Sequence, residues 1–318
     1  MKKTIGVAFG FVGTVIGAGF ASGKEVMLYF SDCGILSPFL AALLLGLFAY
    51  LFCEIGRITN GDGFALFGKG KLLLSCFIKG AAVLVFCTTI AGCEEVFYTL
   101  FGFHGGAIIT VIISLIALFA HKSVTFLISV LSVLAIVILL ILILSRSQVT
   151  FPQGKFSPLS SFLYAGMNML TGGFFISAKT SSFTKKESFV TAVISFLLLS
   201  SMLLTVFLLC ETSASAVFPV LAAAEKIGLG TVGAVILYLA MYTTSIGTLS
   251  VAAEKKLYVA LLICSLALTV ACFGFETLIK KIYPAIGTAG CVITVLVIGL
   301  LAYKRNKIKK DNSSLLTP

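Results

Sequence analysis

The chain is poor in charge. Only 11% of its 318 residues are Asp, Glu, Lys or Arg, whereas a soluble domain of ordinary composition carries roughly 25%. Too little polar surface exists to cover a water-facing globule. Histidine is scarce, two residues in all, and the nine cysteines (33, 53, 76, 87, 93, 210, 264, 272 and 291) form no CxxC pair and join no His cluster. Metal and redox chemistry therefore lack their usual ligand spacing, and the cysteines read as small apolar packing residues. No nucleophile stands at a recognisable distance from a base, which disfavours an enzyme, and no organic cofactor is expected. The alternating polarity of a β-barrel is also missing.

What the chain does have is apolar sequence: 59% hydrophobic residues and a mean hydropathy of +1.14. Runs long enough for a membrane helix of about 20 residues recur from Thr4 to Tyr303. In hydrocarbon every backbone amide must bond internally, so such runs are helices. The expected fold class is an all-α integral membrane protein with about ten transmembrane helices. The spans are 4–30, 35–58, 72–101, 107–120, 124–144, 160–181, 188–210, 229–252, 257–273 and 283–303. Pro38 sits where a helix begins, a position that tolerates its missing N–H. The stretch 214–227 is too short and too polar to cross, and reads as an amphipathic surface or re-entrant helix.

A net charge of +11 could suggest nucleic acid, but its distribution does not. With alternating sides, Arg146, Lys155, Lys226, Lys280 and Lys281 fall outside, Lys24 and Lys79 fall within spans, and the remaining 16 of the 23 Lys and Arg fall inside. This positive-inside asymmetry puts both termini in the cytoplasm. The basic tail, 304–318, reads as a topology signal, with contact to anionic lipid headgroups as the alternative. Lys2 and Lys3 before an apolar run ending near Ala21-Ser22-Gly23 have the outline of a cleaved leader. Removing that segment would leave an odd number of spans, so it reads as the first span.

The spans divide into halves, 1–146 and 160–303, joined by an outer loop, 147–159. Gly17 and Gly172, Ile35 and Ser188, and Leu72 and Leu229 are each separated by about 155 positions, a near-constant lag that points to a repeat of five spans. Because five is odd, the second copy enters from the opposite face, and the repeat is inverted.

The chemistry-bearing residues concentrate in the first span, at Val15-Ile16-Gly17-Ala18-Gly19-Phe20-Ala21-Ser22-Gly23-Lys24-Glu25. Each glycine weakens a helix by about 1 kcal/mol relative to Ala, so regular winding should fail here, near mid-bilayer. Non-helical backbone at that depth must be buried in protein or line a cavity. The break exposes carbonyls to a cation and N–H groups to an anion. The equivalent depth of the second half carries Asn168, Met169, Leu170, Thr171, Gly172, Gly173 and Phe174. Two interrupted helices at matching depth are the best sequence pointer to a transporter site. The competing reading is close helix packing by small residues.

In the eighth span, the Ala240 carbonyl and the Thr243 and Thr244 hydroxyls share one helical face and suit a hard cation such as sodium. Their alternative is back-bonding within the helix. A charge in hydrocarbon costs several kcal/mol, which singles out Glu54, Glu94 and Glu95, with Glu25 just beyond the first break. Glu25, Glu94 and Glu95 are candidates for proton coupling or for pairing with Lys24 or Lys79. Glu211, Glu254 and Glu276 lie near span ends and read as solvated. His104 and His121 fall in loops and receive no role.

The motif from Ile16 to Glu25, opening a ten-span chain of this length, resembles the YkvI-like bacterial membrane proteins, a family of amino-acid permease type within the amino acid–polyamine–organocation superfamily. The resemblance covers essentially the whole chain. It implies the LeuT-type fold, a 5+5 inverted repeat with first and sixth helices unwound around the substrate. For sodium-coupled relatives it implies a cation site from the Gly13, Ile16 and Ala240 carbonyls with Thr243 and Thr244. It also implies a tyrosine of the third helix, Tyr98, near the substrate. The substrate set is then Gly17, Ala18, Gly19, Phe20, Ala21, Ser22, Gly23, Tyr98, Asn168, Thr171, Gly172, Gly173 and Phe174. Helix N-termini at Ser22–Gly23 and Gly173–Phe174 would hold a carboxylate. The expectation is a sodium- or proton-coupled symporter of a small amino acid or similar metabolite in a bacterial cytoplasmic membrane. The rivals are a non-transporting metabolite sensor and, behind it, a channel.

Overall fold

The computed structural model describes residues 2–119, 122–147 and 152–314, and side chains except those of Lys2, 122–126 and 305–314. His121, the end of the fourth expected span at Ala120, positions 148–151 of the connecting loop and the end of the tail, 315–318, lie outside the described residues.

The described chain is helical. The first span comprises α1 (Lys2–Val15), α2 (Ala18–Ser22) and α3 (Lys24–Phe30). Next come α4 (Leu36–Ile58), a 3-10 segment (Gly63–Gly70), α5 (Lys71–Phe101), α6 (Gly106–Phe119) and α7 (Lys122–Arg146). The remainder is α8 (Pro158–Lys179), α9 (Lys185–Cys210), α10 (Pro219–Lys226), α11 (Gly230–Ala253), α12 (Leu257–Ala271) and α13 (Phe275–Ser314). The short α10 occupies the stretch that the sequence marks as non-crossing. Two isolated β-bridges, Cys33 to Lys155 and Gly34 to Gln153, tie the turn after α3 to the connection before α8.

Local sequence explains the boundaries. Ser157 caps α8 by accepting the Ser160 N–H, with Pro158 in the first turn. Thr184 and Glu187 form a reciprocal capping box on α9. Gly102, at φ 75, closes α5 in the left-handed conformation. The last span begins earlier than expected. Pro284 lies inside α13, not near its start, because Gly274 (φ 78) ends the preceding turn and Glu95 accepts the Phe275 N–H at 2.8 Å.

Seven of the described helices are long and apolar enough to cross a membrane, and Lys3–Val15, Gly106–Phe119 and Leu257–Ala271 are shorter apolar helices. Their outward faces carry large apolar side chains: Leu73 is 78% exposed, Leu262 69% and Ile116 67%. Polar groups lie inside, where Ser114 and Ser245 hydroxyls meet at 2.7 Å and Thr110 meets Tyr238 at 2.7 Å. A protein apolar outside and hydrogen-bonded between its helices is built for lipid. This is a multi-pass helical membrane protein. Its main core joins the first span, α4, α8, α9, α11 and α13, and a second cluster joins α5, α6, α11 and α12.

Candidate functional site

The first span breaks twice. At the end of α1 the Gly17 N–H turns to Val15 O (2.9 Å), which deprives the Gly13 carbonyl of its helical partner. Gly17 is extended (φ −91, ψ −170), and the Ala18 N–H donates to Thr244 Oγ1 at 3.0 Å. A side chain of α11 therefore starts α2. Gly23 then sits at φ 78 between α2 and α3, a conformation that glycine adopts without strain.

The sixth-span break does not occur. α8 winds without interruption from Pro158 to Lys179, so Thr171, Gly172, Gly173 and Phe174 keep helical hydrogen bonds. The reason is packing. A Cβ on Gly172 would lie 2.7 Å from Phe11 Cε2, and one on Gly173 would lie 2.7 Å from Phe52 Cζ. These glycines admit aromatic rings to the helix backbone, and no free N–H remains at Gly173–Phe174 for a carboxylate. Phe174 stacks on Phe64 at 4.6 Å between centroids, away from the break.

A cavity of about 320 Å³ lies against the first break, between α5, α8, α11 and α13. Its deep end holds Gly19, Glu25, Asn168 and Tyr283, all buried. Its walls are mostly apolar: Ala81, Ala82 and Val85 from α5, Leu170 and Phe175 from α8, and Ile286 from α13. Thr14, Thr171, Gly247 and Val251 form an exposed rim. Of the expected substrate residues, Gly17, Ala18, Gly19, Asn168 and Thr171 line this space. Phe20, Ala21, Ser22 and Gly23 are buried beside it without lining it. Ser22 Oγ donates to Gly19 O (2.8 Å) and accepts the Lys24 N–H (3.2 Å), so the Ser22–Gly23 turn satisfies itself.

Glu25 is 4% exposed, and its Oε1 accepts from Asn168 Nδ2 at 3.4 Å. Its carboxyl lies so close to Gly19 that a Cβ there would sit 2.5 Å from Oε2. The adjacent Lys24 points elsewhere, to Glu276 at 2.9 Å and to Ala216 O at 2.8 Å. Glu276 is therefore paired rather than merely solvated.

The other intramembrane candidates have structural roles. Glu94 caps α6, accepting from Ala107 N (2.6 Å) and Gly105 N (3.1 Å), with His104 at 3.0 Å. Glu95 caps α13 through Phe275 N. Neither forms an ion pair with Lys24 or Lys79; Lys79 pairs with Glu254 at 2.6 Å. Glu54 pairs with Arg57 one turn away. Tyr98 is 49% exposed and stacks on His104, so it lies outside the cavity lining. At 31 residues, α5 is about 46 Å long against a hydrocarbon core of about 30 Å. Positions 94–98 therefore lie toward its end.

On α11, Thr243 and Thr244 donate to Ala240 O at 2.9 and 3.0 Å, the back-bonded arrangement. Thr244 faces the break and the cavity, while Thr243 Oγ1 meets Ser132 on α7 at 3.3 Å. The donor set, uncharged oxygens plus the freed Gly13 carbonyl, fits a hard monovalent cation in chemical type. Cation binding there would require both hydroxyls to turn their protons away from the Ala240 carbonyl. No cluster of three or more His, Cys, Asp or Glu suited to a metal occurs among the described residues. Sequence reasoning did not find Tyr283, Ile286, Thr14 or the α5 wall. Ala and Val carry no chemical signal, although Thr248 continues the Thr244 face by one turn.

No protein-family model matches the chain, and no curated protein matches it in sequence. In structure it is similar to Mhp1, a nucleobase-cation-symport-1 family transporter solved closed with bromovinylhydantoin bound. The TM-score is 0.55 at 13% identity, over 92% of this chain and 73% of that one. The two share a fold.

Proposed function

We propose that this protein is a secondary active transporter of the LeuT-type fold, a sodium- or proton-coupled symporter of a small amino acid or similar metabolite. The observation that carries the reading is the cavity at the broken first span, in a fold shared with a cation-symport transporter. The YkvI-like resemblance of the motif from Ile16 to Glu25 agrees with it.

The proposed architecture is a 5+5 inverted repeat of residues 1–146 and 160–303. Exchange of the halves supports it: the α4–α8 packing maps onto α9–α1, and α5–α12 onto α11–α6, while α4–α9 and α5–α11 map onto themselves. The Lys and Arg asymmetry supports an orientation with both termini in the cytoplasm, and the YkvI-like resemblance supports a bacterial cytoplasmic membrane. With that orientation the cavity rim at Thr171 and Val251 faces inward, and the Lys24–Glu276 pair closes the outer side. Alternating access then moves the bundle of first span, α4, α8 and α9 against the remaining helices. Gly17, Ala18, Gly19, Asn168 and Thr171 contact the substrate in this reading. The Gly13, Ile16 and Ala240 carbonyls with Thr243 and Thr244 would hold sodium, which when bound would bridge the broken span to α11.

A stabilisation screen of the purified protein against amino acids and related metabolites, with sodium and pH varied, tests this, since a ligand that binds only the native state raises its melting temperature. The expected result is stabilisation that depends on sodium or pH. Sodium dependence unchanged in Thr243→Ala/Thr244→Ala would remove the cation site, and no stabilisation by any compound would count against the transporter reading.

A further inference from the structure

We propose that Glu25 is the anionic anchor for a positively charged group of the substrate, so that the cavity selects small amines with an apolar body and does not require a carboxylate. This deepens the transporter reading and rests on the same cavity.

Charge balance carries the argument. The cavity lining contains one carboxyl and no Lys, Arg or His. Glu25 forms no ion pair among the described residues, although its neighbour Lys24 does. An isolated carboxylate in a nonpolar interior is costly and takes up a proton unless a counter-charge reaches it, and an intramembrane carboxyl that faces a cavity marks a substrate or ion path. Asn168 Nδ2 supplies only a long bond, at 3.4 Å. The Tyr164 hydroxyl, buried next to this carboxyl, forms no well-made hydrogen bond. The groups at the floor are thus under-satisfied.

The anionic side of an amino acid finds no cationic side chain in the lining. α8 is continuous, so Gly173–Phe174 offers no free N–H. The Ala18 N–H is taken by Thr244, and the Lys24 N–H by Ser22. The walls, from Ala81, Val85, Leu170, Phe175 and Ile286, suit an aliphatic or aromatic body.

The test compares leucine with isoamylamine, which lacks its carboxyl group, and 4-methylpentanoate, which lacks its amino group, by equilibrium binding and thermal stabilisation of the full-length protein in nanodiscs. Wild type is expected to bind isoamylamine and not 4-methylpentanoate, with leucine no tighter than the amine. Glu25→Gln preserves shape and should weaken amine binding about tenfold or more, the scale of one lost charge-assisted bond. Glu254→Gln, on an exposed carboxyl, should not. Wild type binding the carboxylate as well as the amine would overturn the inference without any mutant, as would Glu25→Gln with unchanged amine affinity. Flux of the same amine into proteoliposomes, measured for wild type and Glu25→Gln, separates the two readings. Amine binding without transport sinks the transporter reading alone, and transport of a substrate indifferent to Glu25 sinks this inference alone.

Discussion

Gly17 and Gly19 stand two residues apart in the same glycine-rich motif, and the structure predicts opposite outcomes for their replacement by alanine. At Gly17 an added Cβ would find Thr244 Oγ1 at 3.7 Å and Cγ2 at 3.8 Å, ordinary contact, in a backbone conformation open to any residue. At Gly19 it would meet Glu25 Oε2 at 2.5 Å, Tyr283 Cε2 at 2.8 Å and Glu25 Cβ at 3.1 Å. Something must move there, and overpacking of this kind costs about 1–3 kcal/mol. Gly17→Ala should lie within about 0.5 kcal/mol of wild type, the usual range for a change that disturbs no packing. The assay is heating of detergent-solubilised protein followed by size-exclusion recovery of the monodisperse peak, which suits a chain without tryptophan. If flexibility at the break were the reason for both glycines, the two variants would fall together. Equal losses, or a greater loss at Gly17, would refute the reasoning.

Gly173→Ala drives a methyl into the Phe52 ring and should destabilise by about 1–3 kcal/mol. Adding Phe52→Leu should recover part of that in the same thermal assay, whereas a hinge role would leave the loss unchanged. Glu95→Ala removes the cap from Phe275 and should cost about 0.5–2 kcal/mol while leaving ligand affinity and its pH profile intact. A changed pH profile would return Glu95 to proton coupling. Glu254 lies beyond the end of α11, and its bond to Lys79 holds its carboxyl below the ordinary carboxylate range. The pair therefore contributes stability above that range and loses it as pH falls through the lowered value. Acid melting curves of Lys79→Ala should converge with wild type at low pH and separate above it; a constant offset would contradict that assignment.

Much of this molecule is legible in its sequence. The apolar runs give most helices to within a few residues, because a bilayer imposes both length and composition on a helix. The break at Gly17 and Gly23 is legible for a related reason: several weak helix formers in one span cannot all be overridden. Gly172 and Gly173 show where this logic stops. A glycine pair specifies close approach as readily as unwinding, and the choice depends on the Phe11 and Phe52 rings, which come from distant segments. Glu94 and Glu95 show a similar limit. Composition places them in an apolar run, but the length of α5 carries them to its end, where two helix N-termini await them. The cavity walls were out of reach, since Ala81 or Ile286 differs from any other core residue only in what faces it.

The most direct test of the central claim is uptake into proteoliposomes of a ligand identified by stabilisation, driven by an imposed sodium or proton gradient. The account predicts accumulation inside above the external concentration, collapse of that accumulation by an ionophore, and its loss in Gly19→Ala. Saturable binding without any flux, or downhill flux indifferent to the gradient, would contradict it.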